Sequence, residues 1–155
     1  MDRKEPFDPW RRAGEIVVLQ SAFYLFVGVV LSMLCAIWGL PLSLRLVFAP
    51  DAIDFTYASG YTPAISFVLA VGPTALVLYH IADRAKMCLD FAATVYVFHL
   101  VFCTFYSGTF RNSVSWWLLN VTCLGLLALS SEFLCVRREI QAANYALPTV
   151  STRGR

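Results

Sequence analysis

Charge is scarce in this chain. Asp, Glu, Lys and Arg make up 14% of its 155 residues, while 59% are apolar; a soluble globular domain sits nearer a quarter and a half. The net charge of +2 is too small to suggest a nucleic-acid partner. The five cysteines, Cys35, Cys88, Cys103, Cys123 and Cys135, form no C-x-x-C pair, and none stands in a loop. That argues against a disulfide scaffold, a zinc site or a thioredoxin-like centre, and reads them as small apolar fillers. Position 2 is Asp2, not the glycine myristoylation requires, and no prenylation box ends the chain. No internal repeat or low-complexity segment stands out. A polar segment of 15 residues precedes the first apolar run, so that run reads as a retained signal anchor, not a cleavable signal peptide.

What fills the chain instead is four apolar stretches without a single Lys or Arg, at about 16–38, 62–82, 87–107 and 114–136. About 20 helical residues cross a hydrocarbon core of about 30 Å. The expected fold class is therefore all-α, a polytopic membrane protein built as a four-transmembrane-helix bundle. Residues 1–15 form an N-terminal tail, 16–136 the transmembrane domain and 137–155 a C-terminal tail. The longest piece outside the membrane is 39–61, 23 residues, too short for a soluble domain. Ten of the 12 Lys and Arg, among them Arg11, Arg12, Arg84, Lys86, Arg137 and Arg138, fall on one side; Arg45 and Arg111 fall on the other. By the positive-inside rule both termini are expected in the cytosol.

Local patterns sharpen this outline. Phe7-Asp8-Pro9-Trp10 reads as an interfacial element with the first helix starting just after it. Gly28, Ser32 and Ala36 in span one, and Ser66, Ala70 and Thr74 in span two, make small-residue stripes that let neighbouring backbones approach. They suit packing within the bundle or between copies, which leaves a homo-oligomer open. Gly72-Pro73 predicts a kink in span two, and a short helix is expected around 42–48. The short loops 83–86 and 108–113 predict antiparallel hairpins between spans two and three and between spans three and four. Trp116 and Trp117 mark the non-cytosolic interface. Asn120-Val121-Thr122 matches a glycosylation triplet but lies inside span four, out of a lumenal enzyme's reach.

Few ionisable groups enter the membrane, and such groups mark function or a structural pairing. Asp90 and Glu132 lie about one turn from the cytosolic ends of spans three and four, at similar depth. Arg84, Lys86, Arg137 and Arg138 are near enough to pair with them by snorkelling. They read either as an interfacial salt-bridge cluster or as a polar docking point open to the cytosol. His99 stands mid-span with Cys103 at i+4, an arrangement a Cys-His nucleophile would need. No third orienting group is visible, so a hydrogen bond from His99 to Asn120 or Thr122 across helices is expected instead. His80–Asp83 and His99–Cys103 supply two ligands each, short of a zinc set. No catalytic, metal or cofactor site is expected, and the chain does not read as an enzyme. Shallow carboxylates also count against the alternative function, a small proton-coupled transporter.

One resemblance is specific. Cys88-Leu89-Asp90-Phe91, Thr94-Val95, Phe98-His99-Leu100, Cys103 and Phe105-Tyr106-Ser107 stand in order and spacing with Trp116-Trp117-Leu118, Cys123, Glu132-Phe133-Leu134-Cys135, Arg137 and Glu139. Asp8-Pro9, Ile16-Val17, Leu19-Gln20 and Ser66-Phe67 extend the pattern toward the N-terminus. Together these residues resemble the SYS family of Golgi integral membrane proteins over most of 7–140. The resemblance implies a four-span protein of the trans-Golgi membrane. It further implies a receptor for an ARF-related small GTPase with an acetylated N-terminus, acting upstream of golgin tethering and endosome-to-Golgi transport. The GTPase is then expected to dock at the cytosolic mouth of spans three and four, on Arg84, Cys88, Asp90, Glu132 and Arg137.

Overall fold

The computed structural model describes residues 9–53, 58–82, 85–108 and 113–146. Its elements are α1 (Pro9–Trp38), α2 (Arg45–Phe48), a 3-10 turn (Pro50–Ala52), α3 (Ala58–Ile81), α4 (Lys86–Ser107) and α5 (Val114–Ala146). No strand occurs among the described residues. Four of the helices, α1, α3, α4 and α5, are long and apolar enough to cross a membrane, which bears out the all-α four-helix membrane bundle.

Two helices exceed their apolar stretches. α1 begins at Pro9, two residues before the start expected just after Trp10. Proline fits the first helical turn, where its missing N–H would have no intrahelical partner. Glu15 then receives Arg11 at 3.0 Å and Arg12 at 3.2 Å, at i−4 and i−3 on the same helix. At the other end α5 runs on to Ala146, about 15 Å past Val136 at 1.5 Å per residue. The good helix formers Arg, Glu, Gln and Ala in that segment sustain it.

α1 packs on α3, α3 on α5 and α5 on α4, while α4 closes the circuit against α1 along a thinner seam. α3 and α4 barely touch. α3 and α4 therefore stand diagonally opposite in the bundle, and the hairpin expected of spans two and three is not a packed pair. The reason lies in α4, whose buried face divides between α1 and α5: Phe91 meets Arg12 of α1, while Cys88 meets Cys135 of α5. Spans three and four, α4 and α5, do pack as neighbours.

The α1–α3 seam sets large side chains against small ones. Leu19, Phe23, Val27, Leu31 and Cys35 recur every fourth residue on α1 and are all buried. Ser66, Ala70 and Thr74 of α3 are each 0% exposed, and Phe23 meets Phe67 at 6.0 Å between centroids. Small residues on one helix admit the bulk of the other. The small stripe expected on α1 is not part of this seam, since Ser32 and Ala36 are exposed. Pro63 and Pro73 both lie within α3, which continues through them.

At the end away from the termini, the short helix expected near 42–48 appears as α2. Phe48 folds down onto Tyr24 at 5.4 Å and Tyr106 at 5.9 Å. Arg45 pairs with Asp51 across that connection.

Candidate functional site

The end that carries both termini holds four of the five residues expected to meet a partner; Arg84 lies outside the described residues. Cys88 of α4 and Cys135 of α5 are both 0% exposed, with their sulfurs 3.4 Å apart. The Ala85 N–H donates to Glu139 Oε1 at 3.3 Å. These two contacts fix an antiparallel register in which Asp90 comes level with Phe133 and Leu134, within two residues of Glu132. The shared depth expected of the two carboxylates is thus what the packing produces.

Their facing was not legible. Asp90 sits two residues from Cys88, roughly 200° round the helix, and is exposed on the outer side of α4. Glu132 is exposed on α5, where it lines a shallow groove of about 560 Å³ with Leu129, Ser130, Phe133 and Val136. The expected salt-bridge cluster is not formed among the described residues: neither carboxylate pairs with Lys86, Arg137 or Arg138. Arg137 instead lies over the Phe133 ring at 4.4 Å, a cation–π contact at i+4. Glu132, Phe133 and Arg137 therefore share the outer surface of α5, while Cys88 belongs to the seam beneath.

Arg138 does different work. It donates to the Tyr79 carbonyl at 3.2 Å and to the Ala82 carbonyl at 2.7 Å, and stands 4.9 Å over the Tyr79 ring. The last carbonyls of a helix lack intrahelical donors and carry partial negative charge, so a guanidinium there satisfies both needs. Arg138 thus closes the end of α3, and the adjacent Glu139 holds the N–H just before α4. Two neighbouring residues of opposite sign fasten both sides of the α3–α4 connection to the root of the α5 extension. The signal in the sequence was Arg138-Glu139, just beyond Arg137 at the end of an apolar span and opposite a short loop. On the same end Arg12 reaches Met87 Sδ at 3.6 Å and lies 5.9 Å over Phe91, tying α1 to α4.

The His99 pair resolves as core. Tyr24 on α1, not Asn120 or Thr122, is its partner: Tyr24 Oη stands 3.2 Å from His99 Nδ1. Asn120 donates to the Trp116 carbonyl of its own helix at 2.9 Å. Cys103 Sγ is 3.5 Å from His99 Nε2, so Tyr24 supplies the third group that the sequence did not reveal. Yet His99 is 0% and Cys103 1% exposed, and Phe23, Phe67 and Trp116 ring the imidazole at 5.1–6.5 Å. A thiol and base with no exposed surface present nothing to a substrate. No cluster of three or more metal-ligating side chains occurs among the described residues.

Fold and site together define a polytopic integral membrane protein whose polar, solvent-directed features gather at the end bearing its termini. A family profile described as "Integral membrane protein S linking to the trans Golgi network" matches residues 2–145. A "Protein SYS1 homolog" from Nematostella vectensis is 38% identical over 140 residues, covering 90% of this chain and 88% of that protein. A second "Protein SYS1 homolog", from Dictyostelium discoideum, is 29% identical over 134 residues, 86% of this chain and 57% of the relative. No solved structure matches. The chain belongs to the SYS1 family, integral membrane proteins of the trans-Golgi network, and the resemblance carried by spans three and four is borne out.

Proposed function

We propose that this protein is a receptor in the trans-Golgi membrane that recruits an ARF-related small GTPase with an acetylated N-terminus, supporting golgin tethering and endosome-to-Golgi transport. The termini face the cytosol, and the partner meets the terminal end of α4 and α5. The observation that carries this reading is the α5 extension, which continues to Ala146 with residues 139–145 exposed and is fastened at its root by Arg138 and Glu139. A long exposed helix needs a purpose other than span packing, and this one stands beside a groove and two carboxylates without partners among the described residues. Asp90 on α4 and Glu132 and Arg137 on α5 are the contact residues; Arg84, the fifth candidate, lies outside the described residues. Cys88 supports that surface from the seam.

The physical case for a receptor is independent of the residues. One myristoyl chain alone gives only marginal membrane binding, and a GTPase with an acetyl group and a short apolar N-terminus holds still less well. Acetylation removes a positive charge, which lowers the cost of placing that terminus against helix ends. The outward-facing Asp90 and Glu132 weigh against the transporter alternative, which would need them along a path between helices. Co-precipitation of the GTPase with a Glu132→Ala, Arg137→Ala variant that still reaches the Golgi tests the surface. Reduced capture supports it, and undiminished capture refutes it.

A further inference from the structure

On the half of the bundle away from the termini, a groove of about 170 Å³ opens between α4 and α5. Ala93 and Val97 line it from α4; Trp117, Asn120, Val121 and Leu124 line it from α5. Val97 is 58% and Val121 60% exposed, so its sides face the surrounding lipid. The lining is almost wholly carbon, and small Ala93 leaves the space that a larger side chain would fill.

Two polar atoms interrupt that lining. The Asn120 carboxamide donates its Nδ2 to the Trp116 carbonyl; a carbonyl only accepts, so this contact fixes which end of the amide carries nitrogen. Asn120 Oδ1 is then left without a partner among the described residues. Tyr96, 7% exposed, lines the same groove, and its buried hydroxyl is turned to Cys123 of α5, whose sulfur is only a weak acceptor. Polar atoms at hydrocarbon depth are unfavourable unless a partner reaches them. Lipid is the surrounding medium, so a lipid that carries a hydrogen-bond donor suits this position. Phosphatidylcholine offers ester carbonyls near this depth, which accept and cannot satisfy Oδ1. A sterol offers one hydroxyl donor on a rigid apolar plate. Asn120 lies about 5 Å, one helical turn, inward of Trp116 and Trp117, indoles of the kind that settle at headgroup level, which is near where a sterol hydroxyl rests.

We propose that the α4–α5 groove is a sterol-binding site, with the ring system against Ala93, Val97, Val121 and Leu124 and the hydroxyl donating to Asn120 Oδ1. The site is separate from the terminal end and does not depend on the receptor reading.

The test uses the full chain, purified and reconstituted in phosphatidylcholine vesicles carrying a diazirine sterol, with peptide mapping after irradiation. Labelling concentrated on α4 and α5 peptides around Ala93 and Asn120, displaced by excess cholesterol, is the expected result. Asn120→Leu, which keeps the size and removes the acceptor, and Ala93→Phe, which fills the groove, should each cut that labelling several-fold. A diazirine phosphatidylcholine should label all four long helices alike and ignore both substitutions. Sterol label spread evenly over α1 and α3, label indifferent to Asn120→Leu, or equal concentration of the phosphatidylcholine probe in the groove would overturn the proposal.

Discussion

Arg138 on α5 places its Nη2 2.7 Å from the Ala82 carbonyl, so the helix that leaves the membrane also closes the end of α3. Charged donors to otherwise unpaired carbonyls contribute about 1.5–3 kcal/mol, and the cation at a helix C-terminus adds about 0.3–1 kcal/mol. Arg138→Ala should lower stability by about 2 kcal/mol, read from thermal unfolding in detergent micelles. Arg138→Lys keeps the charge but loses the fork that reaches Tyr79 and Ala82 together, so it should fall between. An unchanged midpoint for Arg138→Ala would remove the clamp from the structure's energetics.

The α4–α5 register makes a chemical prediction. Sulfurs of Cys88 and Cys135 at 3.4 Å need only a small approach to reach the bonded distance of about 2.05 Å. Added copper–phenanthroline, taking two electrons and two protons from the thiols, should join these two cysteines in preference to any other pair. Peptide mapping under non-reducing conditions checks it. A dominant bond involving Cys35, Cys103 or Cys123 would mean that the register is wrong.

Tyr24 and His99 couple α1 to α4 through one hydrogen bond inside the aromatic core. Tyr24→Phe leaves the ring packing in place and strands a buried imidazole nitrogen, at a cost of about 1–3 kcal/mol. His99→Leu removes the stranded group as well, so the Tyr24→Phe cost should shrink in that background. A double-mutant cycle on unfolding in detergent gives the coupling directly. Additive effects of the two substitutions would deny the bond.

The α1–α3 seam should be intolerant of bulk. Ala70 is 0% exposed among the large α1 side chains' partners, and Ala70→Leu should destabilise by about 1–3 kcal/mol through overpacking. The same substitution at Ala36, on the exposed face of α1, should be close to neutral. Parallel unfolding curves of the two variants distinguish a packed stripe from an outward one.

The comparison of Ala36 with Ala70 also shows where sequence reading stops. The four spans were legible because Lys and Arg are absent from them, and membrane insertion depends on that absence. Depth was legible too, since counting residues along antiparallel helices brings Asp90 and Glu132 to one level. Facing was not. A helix that is apolar all round carries no strong periodicity to mark its inner side, so the small stripe on α1 looked as suitable for packing as the one on α3. Asp90 could not be turned toward or away from α5 for the same reason. The apolar run marks the membrane part of α1 only; the helix itself starts at Pro9, where Glu15 stands at the spacing that holds Arg11 and Arg12 on it. Arg138 reads from the sequence as a partner for carboxylates, and the structure adds the two carbonyls at the end of α3 that no residue count reveals.

Recruitment to reconstituted membranes tests the receptor reading most directly. Proteoliposomes carrying the full chain, oriented with the α5 extension outward, are incubated with an N-terminally acetylated ARF-related GTPase and floated. The expected result is GTPase in the floated fraction with the wild-type protein, little with protein-free vesicles, and a several-fold loss with Glu132→Ala, Arg137→Ala. Equal flotation with and without the protein would contradict it.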